Sequence, residues 1–119
     1  MELSEKEFWD CKEQFYEQFN KLVDDFYVVK KAQFSKSTAQ NYYLIAHAWI
    51  EYLYGYTPCI NYEDITVAQT NSHFWAMTRH QQLYDFDSKE VKSKLKVFIL
   101  FLKELGYENP NVDKAIAKK

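Results

Sequence analysis

Apolar residues recur along most of this chain at three-, four- and seven-residue steps, the spacing of one helix face. From Ser4 to about Val29 the steps run through Phe8, Phe15, Phe19, Leu22, Val23 and Phe26, with Glu13, Glu17 and Asp24 on the opposite side. Ser4 followed by Glu7 has the form of a capping box at the start of this helix. Residues 30–36 break the period and read as a connection. Ser37-Thr38-Ala39-Gln40 then gives a second box, Ser37 as N-cap and Gln40 at the third helical position. The helix it opens would bury Tyr42, Ile45, Ala46, Trp49, Ile50 and Leu53, and Gly55 is placed to end it through a left-handed conformation. Residues 56–63 contain Pro58 and read as a loop. Thr66 with Gln69 marks another start, near 64–66, for a helix whose face uses Val67, Phe74 and Met77 and which ends near Gln82. Asp87 with Glu90 opens a long helix that runs to Leu105 and stops at Gly106; Asn109-Pro110 follows, and residues 112–119 form a short terminal helix or a frayed end.

The helix from Asp87 to Leu105 has two distinct faces. Val91, Leu95, Phe98, Leu102 and Leu105 make an apolar stripe, while Lys89, Lys92, Lys96 and Lys103 fall within roughly 60° of one another at about 100° per residue. Such a helix can pack on a core while it presents positive charge to a polyanion.

Composition changes this picture little. With 119 residues, two Gly and two Pro, the chain predicts one all-α domain, a bundle of four to five helices. Ten Tyr, nine Phe and three Trp supply ample apolar area for its core. The formal net charge of −2 does not by itself point to nucleic acid, but its distribution is uneven. Residues 1–27 hold eight acidic and three basic side chains; the remainder holds nine acidic and twelve basic. The body is therefore mildly basic behind an acidic leading helix.

Candidate chemistry is sparse. Cys11 and Cys59 form no metal or redox motif and read as free thiols. His73 and His80 lie seven residues apart without a carboxylate or cysteine to complete a ligand set, and His47 stands alone. No glycine-rich phosphate loop and no nucleophile with a partner base is present, so neither an enzyme, a cofactor nor a small-molecule substrate is indicated. The longest apolar run, Val97–Leu102, is far short of a membrane span, and the N-terminus lacks a signal-peptide core, which predicts a cytoplasmic protein without a membrane partner. Tyr52, Tyr54, Tyr56 and Tyr62 cluster around the loop, either as a contact surface or as a wall of the bundle.

Three segments in order resemble the core-binding domain of tyrosine recombinases and phage integrases, the SAM-like integrase N-terminal domain. FSKSTAQNYYLIAHAWIEYL is similar to that family's first helix, NYEDITVAQTNSHFWAMT to its short middle segment, and DSKEVKSKLKVFILFLKELGYENP to its last long helix with the glycine and Asn-Pro behind it. The resemblance covers about 85 positions, 34–118, and divides the chain into an N-terminal amphipathic helix with its connection (1–33) and the core-binding domain proper (34–119). It implies a helical bundle forming one jaw around duplex DNA. Lys36, Ser37 and Thr38 would lie at the start of the first helix near DNA phosphates, Tyr42 would match a tyrosine one turn later, and Lys89, Lys92 and Lys96 would lie along the groove; Asn41, like Gln40, is placed either to reach base edges or for capping and solvation. The family's catalytic residues belong to a second domain that would begin after about residue 119, so this chain would bind DNA in integration or recombination without cleaving it. With Arg79 as its one arginine, the chain is poorly supplied with guanine readers, and binding would be dominated by phosphates. The other reading is a helical interaction or structural domain without DNA contact, self-associating through residues 4–29.

Overall fold

The computed structural model describes residues 3–78 and 86–117, and the elements among them are helices without strands. They are α1 (Glu5–Gln33), α2 (Lys36–Tyr56), α3 (Val67–Thr70), α4 (Ser72–Thr78), α5 (Ser88–Glu104) and α6 (Pro110–Ala117), with a single 3-10 turn at Tyr62–Asp64. The expected all-α bundle is present.

α1 begins as the sequence predicts. The Ser4 hydroxyl accepts from the Glu7 amide, and the Glu7 carboxylate accepts from the Ser4 amide, both at 3.1 Å. Its end differs. The helix continues through residues 30–33, expected to be a connection, with Lys30 and Lys31 in its last turn, where positive charge complements the helix dipole. The Lys30 ammonium donates to the Gln33 side chain at 2.9 Å and lies 5.2–5.7 Å from the rings of Phe26, Phe34 and Tyr42. Those contacts hold residues 30–33 in the helix despite their polar composition.

Phe34 and Ser35 alone join α1 to α2, making a tight helical hairpin. The N-cap of α2 is Ser35 and not Ser37: its hydroxyl accepts from the Thr38 amide at 3.3 Å. Two Ser-x-x frames overlap here. The longer α1 selects the earlier one, in which extended Phe34 stacks on Tyr42 with centroids 5.5 Å apart. Gly55 does not end the helix. Tyr56 is its last residue, and the Thr57 hydroxyl, 2.6 Å from the Leu53 carbonyl, takes the place of a left-handed glycine cap.

Thr66 and Gln69 do form a capping box, but the expected single helix is two short ones. The break is at Asn71 (φ −123°, ψ −92°), whose side chain accepts from the Ser72 amide. The Asn71 side chain satisfies a backbone donor locally and so competes with a continuous helix. The expected end near Gln82 lies outside the described residues. Asp87 caps α5 through the Glu90 amide at 2.8 Å. The far end closes as a Schellman motif: Gly106, at φ 100°, donates to Lys103, and Tyr107 donates to Leu102. Leu105, expected in the apolar stripe, is instead the half-exposed C-cap, and Ile99 joins the buried face in its place.

α1 and α2 run antiparallel, α5 packs across α2, and α3, α4 and α6 close one end. Phe15, Phe19, Val23 and Phe26 of α1 sit in the same buried cluster as Trp49, Leu53, Phe74, Phe98, Leu102 and Val112. The molecule measures 46 × 26 × 26 Å. Its long dimension is that of α1, whose 29 residues span about 43 Å.

Candidate functional site

α5 brings its lysines to two different places. Lys89, Lys92 and Lys96 are exposed on one flank, spread over about 10 Å of helix axis. Lys94 points to the other flank, roughly 200° around the helix from Lys92. There it pairs with Glu90 at 3.5 Å and lies 4.7 Å from the Tyr42 ring. Lys103, the fourth member of the expected strip, is drawn into an ion pair with Asp113 at 3.2 Å. Among the described residues no ion pair engages Lys89, Lys92 or Lys96, and none joins the acidic α1 to α5.

The three unpaired lysines do not stand on a convex ridge. They line a cleft of about 540 Å³ together with Thr70, Asn71, Ser72 and Trp75 from the α3–α4 region and Ala115, Ile116 and Ala117 of α6. The Lys92 ammonium is 4.0 Å from the centre of the Trp75 ring, a cation–π contact. Leu95, almost fully buried, forms part of the floor. The hollow arises because the α3–α4 break at Asn71 and the turn into α6 leave both elements standing beside α5.

The residues expected at the start of α2 are elsewhere. Lys36 and Ser37 are exposed in the first turn, and Asn41 is half-buried. The Thr38 hydroxyl is engaged by Ser35 at 3.1 Å. None of the four lines the cleft. Their neighbourhood is marked by Tyr42, which meets Lys30 and Lys94, so they belong to the other flank of α5. The candidate site is therefore two basic patches and not one.

Other candidates resolve as packing. His47 stacks on Tyr43 and approaches Glu51 at 3.2 Å; His73 is exposed; His80 and Arg79 lie outside the described residues. No group of three or more metal-ligating side chains occurs among the described residues. Tyr52 and Tyr62 are core residues, Tyr54 stacks on Tyr16, and Tyr56 alone of the cluster is largely exposed. Burial pushes the Tyr62 hydroxyl well above the usual phenol range. Cys11 is half-buried, while Cys59 is buried and not displayed in the loop.

Two polar centres carry no motif. Lys12 is 1% exposed, and its ammonium donates to the Leu53 carbonyl at 2.6 Å. Burial holds its pKa below the usual lysine value, an effect partly offset by nearby Cys59. The Cys59 thiol donates to the Gln69 side chain at 3.2 Å, and burial pushes its own pKa up. The second centre is Asn109. Its amide donates to the carbonyls of Tyr62 and Ile65, and its oxygen accepts from the amides of Asn111 and Val112. The signal for Lys12 was its place in the α1 stripe, between Phe8 and Phe15; that for Asn109 was the Asn-Pro pair at a helix start.

No helix among the described residues is long and apolar enough to cross a membrane. No family model matches the chain, and no curated protein or solved structure is significantly similar to it.

Proposed function

We propose that this domain binds duplex DNA through its phosphates, with Lys89, Lys92 and Lys96 as the principal contacts. In this reading it is a non-catalytic module like the core-binding jaw of tyrosine recombinases and phage integrases, acting in DNA integration or recombination. The observation that carries the proposal is the set of three exposed ammonium groups on one flank of α5, without an internal counter-ion among the described residues. The acidic α1 packs chiefly on α2 and leaves that flank uncovered. The start of α2, with Lys36, Ser37, Thr38 and Asn41, contributes a weaker second patch, because the nearby Lys94 is already paired.

Three phosphate contacts predict a modest, salt-dependent affinity. The slope of log K against log salt should be about −2.7, so that raising salt from about 50 to about 200 mM weakens binding about fortyfold. Fluorescence anisotropy with a generic duplex measures this directly. Lys92→Glu combined with Lys96→Glu should abolish binding, whereas Lys36→Ala should change it little. Absence of binding up to about 100 µM at about 50 mM salt would sink the proposal.

A second reading, an interaction domain without DNA contact, is favoured by the apolar groups that α1 and α2 leave exposed: Trp9 at 48%, Val28 at 62% and Leu44 at 44%. Light scattering distinguishes it, since a stable dimer lost on Trp9→Ser and Val28→Ser would support self-association through α1.

A further inference from the structure

We propose that the cleft beside α5 is a binding site for a small organic phosphate that carries an aromatic ring, a ligand of nucleotide chemistry. The inference rests on the same three lysines as the phosphate-binding reading and extends it to the hollow they border. A flat phosphate-binding surface needs no hollow. This one has a volume of about 540 Å³, within the range of roughly 300–1,000 Å³ found for small-molecule sites.

The lining chooses among ligand classes. Lys89, Lys92 and Lys96 offer three positive charges on one wall, more than a single carboxylate would use and well matched to a doubly charged phosphate. Trp75 and Ile116, both half-buried, offer an aromatic and an aliphatic surface to a flat body. Exposed Ser72 and Ser93 add hydroxyls suited to a sugar or a heterocycle and ill suited to an acyl chain. A ring with a phosphate satisfies all three features, whereas a fatty acid leaves the hydroxyls unused and inorganic phosphate leaves the ring and the aliphatic surface unused.

Lys92 links the two halves of the site. Its ammonium lies 4.0 Å from the centre of the Trp75 ring. An incoming phosphate draws that ammonium toward itself and releases the ring face, which the aromatic body of the ligand then covers. Charge and ring are recognised together, so a ligand with both should bind more tightly than either part alone.

The test uses the whole chain. It is titrated calorimetrically with adenosine monophosphate, adenosine and inorganic phosphate, and by anisotropy with a fluorescent duplex in the same low-salt buffer. Adenosine monophosphate should bind with Kd below about 1 mM and at least about tenfold more tightly than either fragment. Ser93→Tyr fills the cleft from an exposed position on α5 and leaves the lysines in place. Ala117→Tyr does the same from the exposed last turn of α6. Each should weaken the nucleotide at least about tenfold while duplex binding is retained. Equal affinity for nucleotide and inorganic phosphate overturns the proposal, as does indifference to both filling variants when circular dichroism shows them folded. If the duplex binds and the nucleotide does not, the cleft proposal fails and the duplex reading stands. If the nucleotide binds and the duplex does not, the reverse holds.

Discussion

Lys12 occupies a position that the apolar period of α1 assigns to the core, and the chain buries it there with its ammonium donating to the Leu53 carbonyl. A buried ammonium is costly, and its lowered pKa expresses that cost as proton linkage. Between the depressed folded value and the unfolded value of about 10.4, the unfolded chain binds more protons than the folded one, so stability rises with pH across that window. The penalty is complete below the folded pKa and gone above the unfolded one. Lys12→Met keeps the volume and removes the charge. The Leu53 carbonyl retains its bond from Thr57, so no acceptor is orphaned. The variant should be more stable than the parent near neutral pH by on the order of 1 kcal/mol. That advantage should shrink as pH approaches the ordinary lysine range. Urea melts of both proteins at several pH values measure the difference. Taking the difference cancels the opposite effect of buried Tyr62, whose raised pKa favours the protonated folded state and makes stability fall as pH climbs. A constant gap, or a less stable variant at every pH, would mean that the Lys12 hydrogen bond outweighs its desolvation.

At the scale of elements, the caps divide what sequence specifies from what packing decides. Ser4, Thr66 and Asp87 each precede a residue of suitable chemistry by three positions, with no competing frame nearby, and each caps its helix as the sequence predicts. Ser35 and Ser37 present two overlapping frames, and the choice depends on how far α1 extends, which its neighbours settle through Lys30 and Phe34. The lysine flank was legible as an angular pattern. Its concavity was not, because two of its walls come from α4 and α6, and no periodicity within α5 reports where they dock. Asn109 is the side chain that ties those distant pieces together. It caps α6 and holds the 62–65 turn through two buried donors at 2.8 and 2.9 Å. Asn109→Ala removes these bonds and the α6 cap and takes the side-chain donor from the Ile65 carbonyl, while the Tyr62 carbonyl keeps the Ile65 amide; the change should cost about 2–4 kcal/mol. Asn109→Asp keeps the acceptor for α6 but faces a carboxylate toward the Tyr62 and Ile65 carbonyls. It should therefore be less destabilising at pH 4 than at pH 7, because protonation restores one donor. Chemical denaturation at the two pH values distinguishes the cases, and equal losses would show that the tie to the turn contributes little.

For the molecule as a whole, α1 decides whether the remaining helices form a unit. A division near residue 33 follows the hairpin bend in the chain, but the buried cluster runs across it. Phe26 meets Phe98 and Phe101 of α5, and Phe19 meets Tyr62 and Tyr107, so α1 touches α5, the 62–64 turn and the loop that leads into α6. Burying a side chain of this size contributes about 1.5–3 kcal/mol, and Phe15, Phe19, Val23 and Phe26 together supply on the order of 6–12 kcal/mol. Net stabilities of whole domains are about 5–15 kcal/mol, so the rest of the chain has little margin without them. Residues 34–119 alone should keep partial helicity, lose near-ultraviolet aromatic ellipticity and bind a hydrophobic dye, the marks of collapse without fixed packing. Adding a synthetic 1–33 peptide should restore the aromatic signal, since the exposed face of α2 is the complement of the α1 stripe. A sharply melting fragment 34–119 would show that α5, α2 and α6 close a core by themselves. Such an outcome would also bear on function. α1 carries most of the acidic excess of residues 1–27, and a folded fragment 34–119, with ten basic and nine acidic side chains, would present the same lysines from a nearly neutral molecule. Its duplex affinity would then measure how far the acidic helix holds back long-range attraction that the intact protein, at a net charge of −2, cannot exert.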